Sequence, residues 1–418
     1  MILWTSLALA APTAFVGGTI HPVSGPPIEA ALVVDDGRIV HVGEVPPGAV
    51  TVDVTGKVII PGLVDTHSHI GGGRLHEHLD QIQPGVSAVD AIDPTHPSLQ
   101  RARAGGITVV NVMPGSGRLM GGQTAYLKLR QSPVVDDLLL CVDDPLAVPV
   151  EAPKRRGICG GMKMANGTNP QGGGGPSSRM GAAYLQREAL RRGAARLSAV
   201  SPPEDQRARK TWTPPEPDPT ADGLAQVVSG ARTVHFHTHR ADDVATIARL
   251  VEERPELDVV LHHVSEAWKL VDLLAETQLP CSLILVDAPG GKEEALEIRL
   301  ETGAILEEAG VPVAFHTDDP ITDSRLFLRM AALGVRGGMS REAALEALTL
   351  GPARMIHLDD RLGSLEPGKD ADFVVLSGDP FSVWTHVEQT WIEGAKVFDR
   401  SEPDDQRHAV GGEVASPQ

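Results

Sequence analysis

Basic charge, cysteine and long apolar runs are all scarce in this chain, and each scarcity closes a class of function. Only 37 basic side chains face 55 acidic ones, a formal net charge of −18. Nucleic-acid binders need a basic face, so nucleic acid is excluded as a partner. No apolar run approaches the roughly 18 residues that cross a bilayer, so no membrane span is expected. The three cysteines, Cys141, Cys159 and Cys281, are widely spaced and form neither a disulfide framework nor a zinc knuckle. No GxSxG elbow stands between a strand and a helix, which removes support for a Ser-His-Asp hydrolase. PGSGRLMGG has the glycines of a phosphate-cradling loop but lacks the GKS/T ending of a P-loop. Aromatics amount to 3%. Histidine, by contrast, is abundant, with 16 in 418 residues.

The 41% hydrophobic and 22% charged residues make a soluble globular balance with material for a substantial core. Residues 1–12, MILWTSLALAAP, read either as the apolar core and cleavage site of a shortened signal peptide or as an ordinary first strand or a frayed terminus. The first reading favours a periplasmic or secreted location over a cytoplasmic one. From Thr13 to Val54 the chain reads as short strands, with Asp36-Gly37 as a hairpin turn. From Lys57 onward apolar runs such as VIIPGLVDTH, GITVVNVM, TVHFHTH, LDVVLHH and VPVAFHTD alternate with helical segments. That alternation implies parallel strands buried on both faces and joined by right-handed crossovers. An α/β fold follows: a (β/α)8 TIM-like barrel over 57–365. A small β-sandwich would be built from residues 13–56 plus 366–400. Residues 198–222 read as a proline-rich surface segment, 167–178 as a glycine-rich loop at the barrel mouth, and 401–418 as a disordered tail.

The histidines fall at strand ends. In PGLVDTHSH, His67 and His69 are two residues apart, so their side chains point the same way from a strand. At the C-terminal end of a barrel strand both would face the cavity mouth, where two imidazoles make a natural pair of metal ligands. TVHFHTH carries His235, His237 and His239 on one face, too far apart for all three to reach one ion. In LDVVLHH, His262 and His263 should point to opposite faces, so only one looks inward. VPVAFHTDDP brings His316, Asp318 and Asp319 to the end of the last strand, where a carboxylate can ligate metal and take a proton from water.

With PGSGRLMGGQTAYLKLR, GMKMANGTNP, HTHRADD, HHVSEAWK and GSLEPGKDADFVVLSGDPF, these segments resemble the metal-dependent amidohydrolase superfamily, in its imidazolonepropionase-like and prolidase-like branch. The resemblance covers roughly residues 13–400. It implies that His67, His69, His237 and His263 are metal ligands, with His263 rather than His262 in the sixth-strand position. It implies that Asp318 contacts metal and shuttles the proton. Lys163 matches a lysine that is carboxylated in some relatives and bridges two metals; the plainer reading is a charged residue contacting substrate or solvent. One or two ions, zinc being the expected metal, are both compatible with the set. His239, Arg240 and Gln123 are candidates for orienting substrate or holding an oxyanion, or, for His239, for fixing a ligand's tautomer. A homodimer is common among similar enzymes.

The sequence departs from the branch where substrate choice would be made. Thr168 and Gln171 stand where a carboxylate and a basic residue are usual, His262 where a glutamate is usual, and Asp319 where a histidine is usual, at the cavity rim. The expected function is hydrolysis of a carbon–nitrogen bond of a small molecule (a linear or cyclic amide, or a dipeptide) by metal-activated water. The rivals are a heterocycle deaminase on the same site and a non-catalytic binding protein on the same fold.

Overall fold

The computed structural model describes residues 11–142, 158–171, 174–286 and 291–410. Most of the signal-peptide segment and the last eight residues of the expected tail therefore lie outside the described residues.

Leu63–Ser68 and Ile107–Val112 are buried at every position and pair in parallel, as strands covered on both faces do. Met162–Ala165, Val234–Thr238, Val259–His263, Cys281–Leu283 and Val313–Phe315 follow, each parallel to the next. Helices such as Pro219–Val228, Ala241–Glu253 and Thr302–Glu308 connect them. Asp218 caps the first of these, accepting from the Thr220 and Ala221 amides, and Pro219 occupies the first turn, where its missing N–H costs nothing.

Two joints bring these strands around one interior. Past the last strand, Asp318 N donates to His67 O at 2.8 Å and His69 N to Asp319 O at 3.3 Å. On the other side Met120–Gln123 runs antiparallel to Met162–Ala165, and Ala125–Lys128 antiparallel to Ile107–Val112. The expected α/β architecture is present, with these two antiparallel strands added to the parallel ones.

Both chain ends share a sheet beside this body. Val58–Pro61 pairs with Phe373–Leu376 and with Thr19–Ile20. A four-stranded sheet containing Thr13–Val16 and Ala31–Asp35 faces it. Between them pack Phe15, Leu32, Ile59, Phe373 and Val375, with Phe15 edge-on to Phe373 and Trp391 at 4.8 and 4.9 Å. Phe15, Phe373 and Trp391 are three of the chain's fourteen aromatics, and each buried ring contributes a large apolar area to this small core.

Two expectations are corrected. Residues 403–409 are not disordered: Pro403–Ala409 is a helix with Asp404 and Asp405 in its first turn and Arg407 and His408 in its last, matching the helix dipole at both ends. His408 is buried, and Asp405 accepts from the Asp399 amide at 2.8 Å. The cysteines do form a disulfide, Cys141–Cys159. Val142 and Ile158 exchange backbone hydrogen bonds of 2.8 and 3.1 Å, so the flanking cysteines become cross-strand neighbours despite a separation of 18 residues. Opening a loop of that length is expected to cost about 3 kcal/mol. A melting temperature that falls on reduction, and equally in Cys141→Ser, would match; an unchanged one would mean that the bond constrains nothing.

Candidate metal centre

Each histidine of the centre is carried by a strand end, and the backbone there departs from regular pleating. His67 and His69 close the Leu63–Ser68 strand, with Nε2 atoms 3.4 and 3.1 Å from Asp318 Oδ1. Asp318 is turned back toward them by a left-handed backbone, φ +51°, and by the Asp318 N bond to His67 O. Beneath it the buried Asp65 carboxylate accepts from Thr317 Oγ1 at 2.6 Å, Thr317 N at 3.1 Å and His67 N at 3.2 Å. Asp65 thus straps the last strand to the first. Burial nevertheless pushes its carboxyl up to about 7, against the pull of those donors.

A second group lies alongside. The His237 and His239 rings stand 4.4 and 4.8 Å from that of His263. In each of the groups His67–His69–Asp318 and His237–His239–His263, one ligand atom per residue lies within 4.8 Å of the others. His316 joins the two: its Nε2 is 3.2 Å from His263 Nδ1, and its ring stacks on His67 at 4.9 Å. Ser282 Oγ holds the other His316 nitrogen at 2.9 Å and itself meets Thr66 Oγ1 at 2.7 Å.

Burial pushes the His67, His237, His262 and His263 rings well below the ordinary histidine range, with neighbouring positive groups adding to it. His239 and His316 are pushed to about 3 by the same cause. Metal ligation needs the neutral imidazole, and these are neutral rings in a desolvated place. Buried His263 Nε2 has no hydrogen-bond partner among the described residues. Convergent neutral imidazoles, one carboxylate and an unsatisfied ring nitrogen fit a divalent cation.

Lys163 is fully buried, its Nζ 3.0 Å from His67 Nε2 and 3.1 Å from Met113 Sδ. Burial lowers its ammonium to about 7, with Asp318 opposing and Lys292 assisting. The neutral amine that carboxylation requires is therefore accessible.

The remaining candidates divide. His239 is in the cluster, its Nδ1 2.7 Å from Ser265 Oγ. Arg240 is 44% exposed at its side chain and forks onto Asp242 at 3.0 Å, just ahead of the Ala241–Glu253 helix. Gln123 donates to Pro84 O at 3.0 Å and holds a loop. Asp319 is buried rather than at the rim, and its carboxylate accepts from Ser324 N and Oγ at 2.9 and 2.7 Å, fixing the turn after the last strand.

Strand alternation fails at His262 and His263. His263 and Val264 have φ of +71° and +45°, so both rings point inward. His262 Nε2 bonds His235 Nδ1 at 2.9 Å, and its ring lies 4.9 Å from that of His67. Sequence reasoning also passed over Lys292, whose Nζ is 2.8 Å from His239 Nε2 and 3.2 Å from His237 Nε2. It sits on a loop with no motif to mark it.

Residues 232–398 match the amidohydrolase family model Amidohydro_3. The crystal structure of an amidohydrolase from Thermotoga maritima is 34% identical, covers 93% of this chain and 100% of its own, and superposes with a TM-score of 0.81. Amidohydrolase tasK of Hapsidospora irregularis is 28% identical across 89% of this chain, which spans 39% of that protein's length. Imidazolonepropionase of Porphyromonas gingivalis is 26% identical over 92% of each chain. With identity at that level over the whole of the Thermotoga protein, and with histidines and an aspartate gathered at the strand ends, the chain belongs to the amidohydrolase superfamily.

Proposed function

We propose that this chain hydrolyses a carbon–nitrogen bond of a small molecule, an amide in linear or cyclic form, at a zinc-dependent centre. The observation that carries the reading is the pair of ligand groups, His67–His69–Asp318 and His237–His239–His263, packed against each other inside one body. His67, His69 and Asp318 would hold one ion; His237 and His263, with Lys163 between the groups, are available to a second. A divalent cation there supplies Lewis acidity, lowering the pKa of water toward about 7 and polarising a carbonyl.

The chain's own residues supply proton transfer and positioning. Burial raises the Asp318 carboxyl, but the His69 hydrogen bond and the neighbouring positive groups outweigh it and hold the group below its usual range. It is ionised, and Oδ1 can accept a proton from an attacking water and return it to the leaving nitrogen. Asp65 and the Thr317 backbone fix where that oxygen points. Ser265 Oγ, 2.7 Å from His239 Nδ1, fixes the orientation of the His239 ring. The disulfide supports the periplasmic or secreted location, since such bonds persist in oxidising compartments.

The test is a panel of linear amides, cyclic amides and dipeptides presented to chelated and zinc-restored protein. Hydrolysis that disappears with chelator and returns with Zn2+ is expected. Ammonia release from a heterocycle in place of amide cleavage would move the assignment to deamination, and protein that neither holds nor regains a divalent ion would defeat the reading.

A further inference from the structure

Away from the metal centre, the helices Pro97–Ala104 and Pro403–Ala409 pack together beside the Ala395–Asp399 strand. A cavity of about 320 Å3 lies where the three elements meet, and no residue of the metal centre lines it. Gln100 and Arg103, three apart and so on one face of the first helix, line one side. Asp405, on the second helix, lines another, and Pro133 and Phe398 supply apolar wall.

Arg103 is the member that asks for a ligand. It is only 6% exposed, with Nε donating to Leu129 O at 2.8 Å and Nη2 donating to Arg130 O. Among the described residues its Nη1 has no hydrogen-bond partner and its guanidinium no ion pair. Burial lowers the guanidinium to about 10, with the Asp405 carboxylate opposing, so it is charged at neutral pH. A buried charge is ordinarily paired, because losing its hydration is costly. Asp405 is equally short of a partner of opposite sign: its Oδ2 accepts from Asp399 N at 2.8 Å, and among the described residues no cation pairs with it. Gln100 makes no side-chain hydrogen bond among them either.

The cavity therefore offers a positive group, a negative group too distant to pair with it, and an apolar wall. A free α-amino acid carries the complement of all three, and the volume suits a ligand of that size. We propose that this cavity binds an α-amino acid with an apolar side chain, its carboxylate on Arg103 Nη1, its ammonium on Asp405 and its side chain along Phe398. The Gln100 amide is available to the same carboxylate. The proposal is independent of the metal-dependent reading above.

The test is isothermal titration of L-leucine into chelated protein, which removes zinc as a competing anchor for the amino acid. Saturable binding at one molecule per chain is expected. It should be roughly tenfold tighter than that of 4-methylvalerate, which lacks the ammonium, or of isopentylamine, which lacks the carboxylate. Asp405→Asn retains an acceptor for Asp399 N but no charge, and should abolish the advantage of leucine over 4-methylvalerate. Gln100→Trp fills the cavity while leaving both charged groups in place, and in protein of unchanged circular dichroism it should abolish leucine binding. Equal affinity for the three probes, or leucine binding that survives both substitutions, would overturn the proposal. Absence of binding by the natural chain would do the same, and needs no variant to fold. Leucine binding that appears only once zinc is restored would place the amino acid at the metal centre and also overturn it, leaving the metal-dependent reading untouched.

Discussion

Asp318→Asn is expected to slow hydrolysis by a factor of about 10^2–10^4, the range lost when a positioned proton-transfer group is removed. The substitution is nearly isosteric, and the backbone bond from residue 318 to His67 O, at 2.8 Å, does not depend on the side chain. The amide oxygen can still accept from His69, whose Nε2 stands 3.1 Å from Asp318 Oδ1. Folding stability and the shape of the centre should therefore change little. What the amide cannot do is take up and return a proton. Assays at saturating zinc separate this loss from weakened ion binding, since a missing carboxylate lowers affinity too. Near-normal turnover under those conditions would remove Asp318 from its assigned role.

The parts of the centre legible in the sequence follow from strand geometry for His67, His69 and Asp318, and from the family resemblance for His237, His263 and Lys163. His67 and His69, two apart at the end of an apolar run, must share a face, and the structure brings them to Asp318. His237 arrives beside His263 because their strands are neighbours in register, with His237 opposite His262 and Thr238 opposite His263. Local backbone exceptions are what periodicity hides. His263 at φ +71° turns His262 inward with it, and no regular strand pattern foretells that. Asp319 looks like a rim residue by its place in HTDDP, yet five residues later Ser324 folds back and claims its carboxylate. Lys292 and Glu294 reach the centre from a loop, where no period links sequence position to direction.

The fold divides in the same way. Alternating apolar runs and helices sufficed for the α/β body, because burial on both faces leaves a composition signal. They did not reveal the antiparallel strands Met120–Gln123 and Ala125–Lys128, which are nearly as buried as the parallel ones but carry glycines, Gln123 and Lys128 in place of a continuous apolar run. The Cys141–Cys159 bond depends on pairing at Val142 and Ile158, a contact invisible to cysteine spacing. The Pro403–Ala409 helix is polar on most of its surface, so only its docking through His408 and Asp405 distinguishes it from a free tail.

Lys128→Met is expected to destabilise the protein by about 3–5 kcal/mol, the range for removing one partner from a buried ion pair. Lys128 is fully buried where the body meets the two-ended sheet, and its Nζ contacts Asp370, with Asp372 and Glu393 each at 3.2 Å. The three carboxylates are not equally dependent on it. Asp370 keeps Arg38 and Arg361, and Glu393 keeps Arg130 at 2.7 Å. Among the described residues Asp372 keeps the Glu393 amide, at 2.8 Å, while its Oδ2, 3.2 Å from Lys128 Nζ, loses that ammonium. Burial already raises the Asp372 carboxyl above its ordinary value, with Lys128 opposing. Loss of the lysine must push it higher. A carboxyl raised on folding binds a proton that the unfolded chain has released, so stability falls as pH rises through the window between the unfolded and folded values. The deficit of Lys128→Met should therefore be largest near pH 7–8 and shrink toward about pH 4–5. Urea unfolding of both proteins across that range measures it, and adding Asp372→Asn should return much of the loss at neutral pH. A deficit that is flat with pH and untouched by Asp372→Asn would place the cost in lost packing around the lysine stem rather than in a stranded buried charge.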